Sequence, residues 1–64
     1  MKIVLNGETR EVVASTLSDL LAECEFSGGV ATAVNEDFVP AALRGRQVLQ
    51  DGDRIEVVAP MQGG

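Results

Sequence analysis

The chain has 64 residues, 45% of them hydrophobic, and a formal net charge of −5 from 10 acidic and 5 basic side chains. That length makes one domain near the lower limit of independent stability, with a thin core and almost no room for an enclosed active site, while the apolar content argues against disorder. The acidic balance disfavours nucleic acid, which is held by clustered Lys and Arg, and favours a partner with a basic docking face.

Met1-Lys2 leads directly into a strand-like run with no signal-peptide pattern. No stretch approaches the roughly 20 apolar residues that span a bilayer, so the cytoplasm is the expected compartment. "KIVLNGETREVV" predicts a hairpin, because Asn6-Gly7 supplies the positive φ angles of a two-residue turn between two strand-like runs. Ile3 and Leu5 are expected on its core face, with Lys2 and Val4 on the other. "STLSDLLAEC" predicts a helix capped by Ser15 or Thr16, with Asp19 in the first turn, where negative charge is favoured. Leu17, Leu20, Leu21 and Cys24 form one apolar stripe at helical spacing. Ser27-Gly28-Gly29 is expected to end that helix, where the positive φ open to glycine reverses the chain.

"VATAV" then reads as a buried strand of small residues, Asn35-Glu36-Asp37 as a polar break, and "FVP" as a brief edge strand ended by Pro40. Residues 41–47 read as a loop with a turn of helix. Asp51-Gly52-Asp53 predicts a turn into a last strand at 54–59, with Ile55 and Val57 inward and Glu56 and Val58 outward. One helix and four to five strands pack best as a mixed sheet with the helix on one face. A crossover through the helix lets a later strand run parallel to the first. The expected fold is therefore α+β of the β-grasp, ubiquitin-like layout: a domain at 1–59 and a flexible Gly-Gly tail at 60–64.

Few side chains carry chemistry. There is no His, Trp or Tyr and a single Cys, so the usual general base, the commonest metal ligand and an internal disulfide are all absent. Cys24 shares a stripe with three leucines and reads as a small core residue rather than a nucleophile. Asp51 and Asp53 fall short of a calcium ligand set and are explained by turn chemistry. Glu36 and Asp37 read as a solvated turn, and Arg44 and Arg46 either as a solvated basic loop or as a pair that meets acidic residues of a partner. No catalytic residue and no metal site is expected.

The glycines at 63 and 64 stand apart. Gly28 and Gly29 have a structural use at a helix end, whereas Gly63-Gly64 has none. Two readings follow: a disordered terminus, or a tail whose working part is the α-carboxylate of Gly64. That carboxylate is ionised and unreactive at neutral pH, but an ATP-using enzyme could turn it into an acyl adenylate open to a sulfur or nitrogen nucleophile. Residues 60–64 span at most about 17 Å when extended, and two glycines are narrow enough to thread a channel.

From "KIVLNGE" through "STLSDLL", "AVNEDFVP" and "LQDGDRIEVVAPMQGG", the whole chain resembles the bacterial sulfur carrier proteins of thiamine biosynthesis. The resemblance implies that Gly64 is adenylated by an ATP-dependent activating enzyme related to ubiquitin-activating enzymes. It further implies conversion to a thiocarboxylate, with sulfur mobilised from cysteine by a desulfurase or another donor, and delivery to thiazole synthase. The carrier itself binds no cofactor on this reading, ATP being used by the partner, and it is not an enzyme. Gly63, Gln62 and Met61 would thread the partner's channel; many relatives carry a glycine or small apolar residue where Gln62 stands. Val4, Val58 and Met61 are candidate docking residues on the outward sheet face. The alternatives are a carrier for another pathway, such as the small subunit of molybdopterin synthase, a ubiquitin-like modifier of lysines, or an interaction domain with an inert tail.

Overall fold

The computed structural model describes residues 1–26 and 29–59. Strands β1 (Lys2–Leu5) and β2 (Glu8–Glu11) form the expected hairpin. Leu5 pairs with Glu8, leaving Asn6-Gly7 as a two-residue loop whose φ angles are 50° and 85°, the positive pair that a type I′ turn requires. Helix α1 (Leu17–Glu23) begins at Thr16, whose Oγ1 accepts the Asp19 amide at 3.1 Å; the capping choice thus falls on Thr16 rather than Ser15. Leu17, Leu20 and Leu21 are buried, and Cys24 is half-buried against the same core.

The helix does not end on glycine. The Phe26 amide donates to the Leu21 carbonyl and the Glu25 amide to the Ala22 carbonyl, with Glu25 at φ 62°. This is a Schellman ending whose left-handed position is filled by Glu25, and Phe26 supplies its hydrophobic contact with the core. Gly29 does not take a positive φ, and Gly28 lies outside the described residues. The structural use expected of Gly29 at the helix end is therefore overturned.

A second hairpin follows. β3 (Ala31–Val34) and β4 (Asp37–Val39) pair antiparallel with Val34 opposite Asp37, so Asn35-Glu36 is also a two-residue loop, at φ 51° and 74°. The predicted polar break is thus a tight turn without glycine. β3 is only half-buried, because Thr32 and Val34 face inward while Ala31 is exposed. A 3₁₀ segment (Ala41–Arg46) packs against α1. The chain after it is tied to the helix start, with the Leu17 amide donating to the Gln47 carbonyl and the Leu49 amide to the Ser15 carbonyl, both at 2.9 Å.

The last strand, β5 (Arg54–Val58), lies at the centre of a five-stranded sheet ordered β2-β1-β5-β3-β4. It runs parallel to β1 and antiparallel to β3. Ile3, Leu5, Ile55 and Val57 project onto the helix side and meet the three helix leucines in one core. Each such Leu or Ile contributes about 1.5–3 kcal/mol, and together they hold the central strand in place. No helix among the described residues is long and apolar enough to cross a membrane.

Candidate functional site

The predicted tail residues Met61, Gln62, Gly63 and Gly64, together with Pro60, lie outside the described residues. The structure defines instead the root from which they continue, the end of β5. A central strand has two neighbours, and β5 uses both until β1 runs out. The ladder with β1 carries the Val4 amide to the Asp53 carbonyl and the Asn6 amide to the Ile55 carbonyl, each at 2.9 Å. At Asn6 the chain turns away into the hairpin loop, so no further β1 peptide group is available to Val57.

The Asn6 side chain takes that place. Its Oδ1 accepts the Val57 amide at 2.9 Å and its Nδ2 donates to the Val57 carbonyl at 3.2 Å. A carboxamide presents the same donor and acceptor as a peptide group, so the ladder gains one more rung. Asn35 grips the other end of β5 in a similar way. Its Oδ1 accepts the Arg54 amide at 3.0 Å and its Nδ2 donates to Asp53 Oδ1 at 3.0 Å. Each of the two hairpin turns thus sends an asparagine side chain onto the strand that leads to the tail. Asp53 also accepts the Gln50 amide through Oδ2, the turn chemistry expected of it, whereas Asp51 Oδ1 accepts the Lys2 amide at the start of β1, a long-range tie rather than a bond within the turn.

The outer sheet face mixes charges of both signs with apolar side chains: Arg54, Glu56 and Val58 alternate outward along its central strand. Val58 is 60% exposed and pairs with Ala31; Glu56 pairs with Ala33, which pairs on its other side with Phe38, 69% exposed. Two alanines therefore floor a shallow strip between Val58 and Phe38. Val4 is half-buried and stands opposite Arg54, four residues before Val58, or roughly 13 Å along the strand. Val4 and Val58 share a face but do not touch as one patch. Phe38 escaped the sequence reading because only its register beside core-facing Val39 shows which way it points.

Arg44 is not a solvated loop residue. Its Nε donates to Thr32 Oγ1 at 3.0 Å and its Nη2 to the Val30 carbonyl, while Thr32 Oγ1 donates to the Val39 carbonyl at 2.8 Å. Thr32 is the one buried polar residue among those described, and Arg44 is spent on satisfying it. Arg46 remains exposed. Glu36 makes only a surface ion pair with Arg54 at 3.8 Å.

A family model described as the ThiS family matches residues 3–64. A sulfur carrier protein ThiS of Thermus thermophilus is 45% identical over 61 residues, covering 94% of this chain and 95% of that protein. A thiazole synthase of Paramagnetospirillum magneticum is 41% identical over 66 residues; the match takes in all of this chain but spans only 20% of that protein. Among solved structures, the crystal structure of a thiamine biosynthesis protein (ThiS) from Geobacter metallireducens aligns over 100% of both chains with a TM-score of 0.86 at 22% identity. A solution structure of a thiamine biosynthesis protein from the same organism aligns over all of this chain and 88% of that one with a TM-score of 0.82. At that identity the two structures establish the shared fold.

Proposed function

The chain belongs to the ThiS family of sulfur carriers in thiamine biosynthesis, and we propose that it carries sulfur on the carboxylate of Gly64. The observation that carries this reading is the family match, which runs through residue 64 and so includes both terminal glycines.

The chemistry begins at a partner. A Gly64 carboxylate oxygen attacks the α-phosphorus of ATP, the bond to the β-phosphate breaks, and pyrophosphate leaves. The acyl adenylate then has AMP as its leaving group. A persulfide sulfur, drawn from cysteine by a desulfurase, bonds to the acyl carbon as the carbon–oxygen bond to AMP breaks. A second thiol on the sulfur donor then cleaves the resulting acyl disulfide, becoming disulfide-bonded to the donor as the acyl sulfur leaves with the electron pair. The resulting thiocarboxylate is anionic and more nucleophilic at sulfur than a carboxylate is at oxygen, which suits delivery to an electrophilic carbon held by thiazole synthase. ATP is bound by the activating enzyme rather than by the carrier, and catalysis belongs to the partners, all in the cytoplasm.

The role of the globular part is to present the tail. β5 sits at the centre of the sheet, gripped on both sides, and hands the chain on beyond Val58. Gly63 and Gln62 thread the partner's channel, with Met61 behind them. Val58 and Val4 offer the outer face for docking. The thiazole synthase relative supports that enzyme as recipient, since one fifth of that protein is similar to the whole of this chain. These matches favour the thiamine carrier over a molybdopterin synthase subunit or a modifier of lysines.

The test is reconstitution of thiazole formation with the activating enzyme, a desulfurase and thiazole synthase. Full-length protein supports turnover, and a variant lacking Gly63 and Gly64 supports none. Equal turnover by the truncated chain refutes the reading.

A further inference from the structure

Type I′ hairpin turns are satisfied by positive φ alone, and Gly-Gly serves as well as Asn-Gly. The Asn6 carboxamide is therefore not needed to close the β1–β2 turn. It is spent instead on Val57, fifty-one residues away in sequence and the last inward-facing residue of β5. Beyond Val57 the strand's only partner among the described residues is on its β3 side, where Val58 pairs with Ala31. Asn6 thus supplies the final contact holding β5 to the β1 half of the sheet.

We propose that Asn6 is a positioning residue for group transfer at the C-terminus: by clamping both backbone groups of Val57, it sets the direction in which the chain leaves the sheet. The inference rests on Gly64 being the reacting end. Without the clamp, β5 is anchored at its end along one edge only and can tilt about its pairing with β3. Residues 60–64 reach at most about 17 Å when extended, so a tilt at Val57 shifts the point from which that limited reach into a partner's channel is measured. Displacements of about 1 Å at a reacting centre can cost on the order of 100-fold in rate.

The structure provides its own control. Asn35 is also the first residue of a two-residue turn with positive φ, and its side chain also accepts a backbone amide of β5, that of Arg54, and donates to the side chain of Asp53 just before it, at the opposite end of the strand. Asn6→Gly and Asn35→Gly each retain a residue suited to positive φ and remove only the side-chain grip. Both weaken the fold; only the first loosens the root of the tail.

The experiment measures ATP–pyrophosphate exchange by the activating enzyme as a function of carrier concentration, with both variants and the full-length parent. Folding of each is checked by protection of the Ile55 amide against hydrogen exchange. Asn6→Gly is expected to lower kcat by roughly tenfold or more with KM little changed, because docking survives and productive presentation does not. Asn35→Gly is expected to stay within about twofold of the parent. Asn6→Asp keeps the acceptor for the Val57 amide but sets a carboxylate oxygen against the Val57 carbonyl; it is expected to fall between parent and Asn6→Gly, and it serves as the test if the glycine variant does not fold. Equal loss in Asn6→Gly and Asn35→Gly, no loss in either, or a rise in KM at constant kcat overturns the proposal. Absence of exchange with the parent itself overturns the Gly64 reading, a distinct outcome.

Discussion

Thr32→Val replaces a hydroxyl by a methyl of nearly the same shape, so it opens no cavity and isolates the polar node under the sheet. Thr32 is 2% exposed; its Oγ1 donates to the Val39 carbonyl and accepts from Arg44 Nε. A neutral hydrogen bond contributes about 0.5–1.5 kcal/mol net and one to a charged group about 1.5–3 kcal/mol. Arg44 is only partly buried and keeps the Val30 carbonyl, so its loss falls at the low end. The added buried methyl returns about 0.8 kcal/mol. The net expectation is a loss of about 1.5–2 kcal/mol. A domain of this length has roughly 3–10 kcal/mol in total, and each kcal/mol shifts Tm by about 4–8 °C, so melting should fall by about 6–16 °C. Urea unfolding and thermal melts followed by far-UV circular dichroism measure both quantities. Arg44→Met, which keeps an apolar stem, completes a double-mutant cycle with an expected coupling of at least about 0.5 kcal/mol. A loss below about 0.5 kcal/mol in Thr32→Val, or additive single and double losses, refutes the reasoning.

Three further outcomes are expected, two from the described fold and one from the proposed role of the tail. Glu36→Gly should raise stability by about 0.5–1 kcal/mol in urea unfolding, because glycine relieves a left-handed residue at φ 74°. The ion pair it removes is more than half exposed on both sides and contributes little. Leu20→Ala should cost about 2–5 kcal/mol, enough to leave much of the chain unfolded at 37 °C by circular dichroism. Gly63→Val should melt like the parent while losing modification at Gly64, since a branched side chain obstructs a narrow channel; a large fall in Tm contradicts the view of that residue as a threading element.

The frame of this fold is legible because its signals are local. Asn6-Gly7, the leucine stripe of α1 and the alternation of Ile55 and Val57 each specify an element within a few residues. What the sequence hides depends on contacts made at long range. The Asn35-Glu36 turn lacks glycine, and its positive φ angles are held by the pairing of Val34 with Asp37 and by the grip of Asn35 on Arg54. Arg44 looks like a solvated loop residue until the fold brings Thr32 beneath it. The sequence points to the glycines as the helix end because glycine is the usual left-handed residue, but Glu25 fills that position and the Schellman bonds close before Gly28. The candidate site divides the same way: the Gly-Gly motif is visible in sequence, whereas the asparagine clamp at its root is not.

On the proposed function, the carried sulfur sits on Gly64. The most direct measurement is fragment-resolved mass spectrometry of the protein after incubation with ATP, the activating enzyme and a sulfur source. Exchange of one oxygen for sulfur has the same nominal mass as oxidation of either of the two methionines, so the shift must be read on fragments that contain Gly64 and exclude Met61. The added mass is expected on those fragments, dependent on ATP, and alkylation of the thiocarboxylate sulfur raises it further by the mass of the alkyl group. Gly64 fragments of unchanged mass, with sulfur instead on Cys24, would contradict it.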